Sequence, residues 1–141
     1  MHQAVPASVL IHSMSEKVLA LAKVVYEGSA EKEGGVVTAL KTWLKAISLT
    51  VDTVAPYPCW TTDDMSFIDL AIKNLEQAKN YLEKKLETRF KDDPEWLQRR
   101  IKYAIRDIKW ILNKLSNITV TPIDERVKAM CIEVTFKPEA R

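Results

Sequence analysis

Glycine is scarce in this chain of 141 residues, which has only three: Gly28, Gly34 and Gly35. Domains built only from β-strands use many tight turns that favour glycine, so its scarcity argues against them and favours long helices. Loops that cradle phosphate also need glycine, because the backbone must approach the ligand closely. The chain has none of the glycine-rich nucleotide-binding or nucleophile motifs.

Histidine and cysteine, which often bind metals or act in catalysis, are almost as rare. Both histidines, His2 and His12, lie near the N-terminus, where we expect ordinary structural roles. Cys59 and Cys131 are far apart and have no neighbouring base. Two distant cysteines do not form a disulfide framework, which needs several closely spaced ones, and this low cysteine content fits a reducing compartment. We therefore expect no catalytic residue, no metal site and no cofactor.

Long apolar runs and a strong net charge are also missing. No segment approaches the roughly 18 apolar residues needed to cross a bilayer, and the N-terminus lacks a signal-peptide pattern. We therefore expect a cytoplasmic protein that does not contact membranes. The net charge is only +2, so binding of nucleic acid would require local clustering of cations. Abundant lysine, glutamate and β-branched residues would also suit a thermophile.

Apolar residues recur at steps of three and four in four segments, and this spacing predicts four helices. The predicted helices cover residues 8–27, 36–55, 64–90 and 94–117. Ser13 and Glu16 have the spacing of a capping box, which leaves open a later start for the first helix. The polar segment 29–35 is predicted to be a loop.

Short polar side chains and proline mark where the last two helices begin. Residues 61–63 should supply capping oxygens for the third helix. Asp93 is predicted to cap the fourth helix, with Pro94 as its first residue. Capping thus accounts for the adjacent aspartates at 63–64 and 92–93 without any catalytic role.

The C-terminal segment changes character and is rich in β-prone residues. Alternation between residues 128 and 136, after a turn at 122–126, predicts a small β-hairpin over 118–137. A single extended strand, or a short helix over 124–132, is the alternative. The sequence as a whole predicts one mainly α domain over 1–141, a four-helix antiparallel bundle or two helical hairpins with the C-terminal β-hairpin appended.

The fourth predicted helix is apolar on two sides. Leu97 to Leu115 follow one stripe, and three aromatic residues spaced by seven form a second line on the nearly opposite side. Six basic residues and one acid lie between Trp96 and Asn117. The candidate interface or ligand-binding residues lie along this second line: Trp96, Arg99, Tyr103, Arg106 and Trp110.

Three large aromatic residues in a line rarely face water without a reason. The interpretation that the sequence favours is that the chain covers them itself, with the C-terminal hairpin, the first helix, or the loop that contains Tyr57 and Trp60. The second interpretation is that the line is an interface with another protein chain, and a homodimer is then the simplest closed assembly. The third is single-stranded nucleic acid, with bases stacked on the aromatic rings and phosphates bound by arginine and lysine.

The expected function is association without catalysis, with a second copy of the chain or with another protein. A nucleic-acid-binding accessory protein that uses the fourth helix is the alternative. A small hydrolase or transferase, whose acids converge only in the folded chain, is a second alternative.

Overall fold

The computed structural model describes residues 5–28, 30–54, 60–89, 94–119 and 135–136. Within these ranges the chain is mainly helical, and the four predicted helices are present. They are α1 (Ala7–Glu27), α2 (Ala30–Val54), α3 (Thr62–Arg89) and α4 (Glu95–Ser116). Two short strands, β1 (Val5–Pro6) and β2 (Thr135–Phe136), pair in antiparallel orientation.

The C-terminal β-hairpin predicted over 118–137 is not supported. Most of that segment lies outside the described residues, and Ile118 and Thr119 are not in a strand. Ile118 instead donates its backbone N–H to the Leu115 carbonyl oxygen and is buried. The described strand, β2, pairs with β1 ahead of the first helix. An alternating pattern predicts a strand but does not specify its partner.

All four helix starts differ from the prediction, that of α3 by two residues, because α3 begins at Thr62. α1 begins at Ala7, so the later start at the Ser13 capping box is wrong. α2 begins at Ala30, so the loop predicted over 29–35 is also wrong, and Gly34 and Gly35 lie inside the helix. The low helix propensity of glycine is a weak guide, because tertiary context often outweighs it. α4 begins at Glu95, one residue late, because Pro94 has an extended backbone, with ψ of 146°, and precedes the helix.

The start of α3 has a capping box that includes one of the predicted capping residues. The Asp64 backbone N–H donates to Thr61 Oγ1 at 3.1 Å, and the Thr61 N–H donates to Asp64 Oδ2 at 3.0 Å. The Ser8 hydroxyl on α1 donates to Asp64 Oδ1 at 2.6 Å. Asp64 therefore caps one helix and fixes the start of another beside it.

α1 packs against α2 and α3, and α4 packs against the same two helices. Three contacts join α1 to α3 at their beginnings, middles and ends: Ser8–Asp64, Ser15–Asn74 and Tyr26–Tyr81. The two helices therefore run parallel. Short connections force α2 to run antiparallel to α1, and α4 antiparallel to α3, so the chain forms two helical hairpins side by side.

Consecutive helices of an antiparallel bundle are usually neighbours, but α2 and α3 do not pack against each other within the described residues. The connection between Val54 and Thr62 contains seven residues. A fully extended segment of seven residues spans about 23 Å, and the axes of diagonally opposite helices in a bundle are about 14 Å apart. The link is therefore long enough to cross the end of the bundle.

One apolar stripe from each helix enters a shared core. Its most buried side chains include Ile11, Val18, Leu40, Ile47, Leu75, Leu82, Ile101 and Ile108, all 0% exposed. Lys85 is also buried, and its ammonium donates to the Gly28 carbonyl oxygen at 3.5 Å. A cation at the C-terminal end of α1 is favourably placed in the helix dipole.

Substitutions at Gly35 test whether α2 begins as early as Ala30. The backbone of Gly35 is helical, and a methyl group added there would meet nothing within 4 Å. Gly35→Ala should therefore raise the free energy of unfolding by about 0.5–1 kcal/mol, whereas Gly35→Pro should lower it by about 3 kcal/mol. Chemical denaturation measures both changes. If neither substitution alters the stability, residues 30–35 form the loop that the sequence predicted.

Candidate functional site

The outer side of α4 presents three aromatic side chains to solvent. Trp96 is 45% exposed, Tyr103 49% and Trp110 38%. They are seven residues apart on a helix that rises about 1.5 Å per residue, so they lie about 10.5 Å apart along one line. We call this line and the cations beside it the α4 face: Trp96, Arg99, Arg100, Tyr103, Arg106, Trp110 and Lys114.

The opposite side of α4 is fully buried in the core. Its stripe has five side chains that are 0% exposed: Leu97, Ile101, Ile108, Ile111 and Leu115. Both sides of the helix are therefore apolar, as the sequence indicated, but only one of them packs against α2 and α3.

A cation lies over each of the three exposed rings. The guanidinium carbon of Arg100 is 5.2 Å from the ring centroid of Trp96, and that of Arg106 is 4.8 Å from the centroid of Tyr103. The Lys114 ammonium is 5.4 Å from the Trp110 centroid. These distances are within the range of cation–π attraction, about 6 Å. The rings and the positive charges therefore form one continuous surface.

The charge on this side of α4 is strongly positive. Its basic residues are all exposed: Arg99, Arg100, Lys102, Arg106, Lys109 and Lys114. Glu95 pairs with Arg99 at 3.3 Å, and Asp107 lies 3.9 Å from Arg106. Exposed pairs of this kind contribute little to stability, and the four cations of the α4 face outnumber these two acids, so the surface attracts anionic groups.

A surface cavity of about 160 Å³ lies beside Tyr103, between α4 and α2. Val37 and Ala104 contribute apolar surface to its lining, and Lys41, Arg100 and Asp107 contribute charged groups. The α4 face therefore continues onto α2, and this extension was not apparent in the sequence because it depends on which helix packs beside α4.

The structure places all five predicted site residues on the α4 face, where Arg106 stacks on Tyr103 between the two exposed tryptophans. Arg99, on the same face, also pairs with Glu95. Arg100 and Lys114 were not predicted from the sequence as site residues. The available signal was their position four residues after a tryptophan, which puts them one turn along the same face.

The interpretation that the chain covers its own aromatic line finds no support in the described residues. α1 packs on α2 and α3 and does not contact α4. Trp60 is buried in the core at 8% exposure. Tyr57 and most of the predicted hairpin lie outside the described residues.

The described residues contain no group of three histidine, cysteine or acidic side chains that could bind a metal ion. Every carboxylate whose surroundings are described is exposed or half-buried. His12 is half-buried, with Nδ1 3.6 Å from Glu16 Oε1. No helix in the described part of the chain is apolar over a length sufficient to span a bilayer. Three other candidates lie outside the described residues: His2, Cys59 and Cys131.

Comparisons of this chain with protein-family models, with curated proteins and with solved structures found no significant match.

The exposure of Trp96 and Trp110 predicts how the tryptophan fluorescence responds to ionic quenchers. The ratio of iodide to caesium quenching should be higher than for free tryptophan at equal ionic strength, because Arg100 and Lys114 attract anions to these rings. The double variant W96F/W110F should lose most of the iodide-sensitive emission. Trp60→Phe should retain it, since Trp60 is buried. Wild-type emission that iodide does not quench would mean that another part of the chain covers the α4 face.

Proposed function

We propose that the chain is a binding protein that associates with a protein, either a second copy or a different chain, through the α4 face. The observation that carries this proposal is the line of three aromatic rings, 38–49% exposed, each with a cation over it. Tryptophan, tyrosine and arginine are the residue types that most often dominate the binding energy of protein interfaces.

The fold supports this proposal because the aromatic line is not needed to complete the core. The buried stripe on the other side of α4 already packs against α2 and α3. Half-exposed tryptophans in a row make the surface less soluble, and contiguous apolar patches on soluble proteins commonly mark binding sites. An interface on this side of α4 explains why the three aromatic side chains are there, since packing of the core does not require them.

Single-stranded nucleic acid is a second candidate, because exposed aromatic rings interspersed with cations also suit stacked bases and phosphates. The cation–π pairs weigh against it. Each ring already has one of its own cations over it, which reduces the ring surface that a base needs for stacking. No observation on the described residues favours the small hydrolase or transferase.

Photo-cross-linking in cells that express the chain tests the proposal. A photoreactive phenylalanine derivative replaces Tyr103 in one variant and Leu70 in the control, two residues with similar exposure, 49% and 45%. We expect a covalent protein adduct at position 103 and none at position 70, because Leu70 is the single large apolar side chain of α3 that is exposed among the described residues. An adduct of twice the chain mass identifies a second copy. Equal adducts at both positions, or none at 103, contradict the proposal.

A further inference from the structure

We infer that the partner of the α4 face is an acidic amphipathic helix of a different protein. This inference rests on the proposed function and specifies the chemistry of the partner. Its basis is that an aromatic line with a heptad spacing is bordered by cations on both sides.

The spacing of the aromatic residues is that of one position in a coiled-coil heptad. On a straight helix such a line drifts by about 20° per heptad, so a partner helix that crosses α4 at about 20° can follow it along its length. From Trp96 to Trp110 the line is about 21 Å long, which is the length of two heptads of a partner helix.

The area of the α4 face also suits a single helix. α4 has 22 residues, so it is about 33 Å long, and a helix with its side chains is about 11 Å wide. The projected area is therefore about 350 Å², well below the roughly 800 Å² per partner of a standard interface. One helix laid along α4 fills this area, whereas a large globular surface would need further contacts.

The charges beside the aromatic line favour an acidic partner. The four cations of the α4 face border it, and the acids nearby are Glu95 and Asp107. In helix pairs the residues that flank the apolar seam select the partner through their charges, and like charges opposite each other are unfavourable. A helix with apolar residues at heptad spacing and carboxylates beside them is complementary to this pattern.

A second copy of the chain is a poorer partner for the same reason. A two-fold contact places the same surface patch on both sides of the interface. The cations of one α4 face would then lie opposite the cations of the other, which is repulsive.

The spacing of the rings is unfavourable for a stacked nucleic acid. Bases stacked along a strand are about 3.4 Å apart, whereas the three rings are about 10.5 Å apart. Consecutive stacked bases therefore cannot each meet a ring of α4.

The cavity beside Tyr103 adds a second recognition element. Val37 and Ala104 give it apolar surface, and its lining has two cations, Lys41 and Arg100, against one acid, Asp107. This combination fits one apolar side chain of the partner helix with a carboxylate one turn away. Partner binding would thus use α2 as well as α4.

The test titrates the full chain with three labelled probes and measures fluorescence anisotropy. The first is a peptide of about three heptads, with leucine at the two seam positions and glutamate beside them. The second has lysine in place of every glutamate, and the third is a uridine oligonucleotide. We expect the acidic peptide to bind about tenfold or more tightly than the basic one, and added salt to weaken its binding.

Variants locate the binding surface. The double reversal R99E/R106E should weaken binding of the acidic peptide about tenfold, and Tyr103→Ala should have a similar effect. The matched control K73E/K84E makes the same change in net charge on the exposed side of α3, and it should leave binding unchanged. Circular dichroism checks that each variant keeps its helices.

Four outcomes overturn the inference. If R99E/R106E and the control K73E/K84E weaken binding of the acidic peptide equally, the binding site lies elsewhere. Tighter binding of the oligonucleotide would favour the nucleic-acid alternative, and dimerisation through the α4 face would retain the proposed function with a different partner. If the chain binds no probe at about 1 mM, the inference is wrong, and cross-linking at position 103 then decides the proposed function separately.

Discussion

An isolated helix of this length is marginally stable in water, so each of the four helices depends on burying one apolar stripe against the others. The shared core meets this requirement with fully buried side chains from all four helices, such as Ile11, Leu40, Leu75 and Ile108. A helix in such a core can bury only one side. α4 has two apolar sides, so the packing that stabilises the fold leaves its aromatic line in solvent, and the candidate site is a consequence of the same constraint.

Apolar stripes attract one another without direction, so polar contacts are needed to select one arrangement. Ser8 and Asp64 join the starts of α1 and α3 at 2.6 Å, and Ser15 accepts a hydrogen bond from Asn74 midway along them at 3.1 Å. Lys85 meets the carbonyl oxygen of Gly28 near their ends. These contacts place α1 parallel to α3, which puts α4 diagonally opposite α1 and leaves the outer side of α4 uncovered by it.

Periodicity predicted the four helices and the two sides of α4, because a repeat of 3.6 residues directly identifies the side of a helix that is buried. It could not predict that α1 packs against α3, since periodicity does not say which helix covers a stripe. The loop expected over 29–35 is helical in its last six residues. The spacing of Arg100 and Lys114 from the tryptophans puts them on the same face, but the stacking of a cation on a ring also depends on side-chain conformation. The cavity beside Tyr103 depends on which helix lies beside α4.

Hydroxyl-radical footprinting with mass spectrometry tests the central claim, that the side of α4 left out of the core is the side that binds. The measurement compares residues within one unmodified chain, alone and with the acidic heptad peptide. In the chain alone, oxidation of Trp96, Tyr103 and Trp110 should be faster than that of Trp60, which is 8% exposed. On addition of the peptide, all three should be protected together while Tyr81 on α3 is unchanged. Slow oxidation of these three residues in the free chain, or oxidation that bound peptide does not alter, would contradict the account.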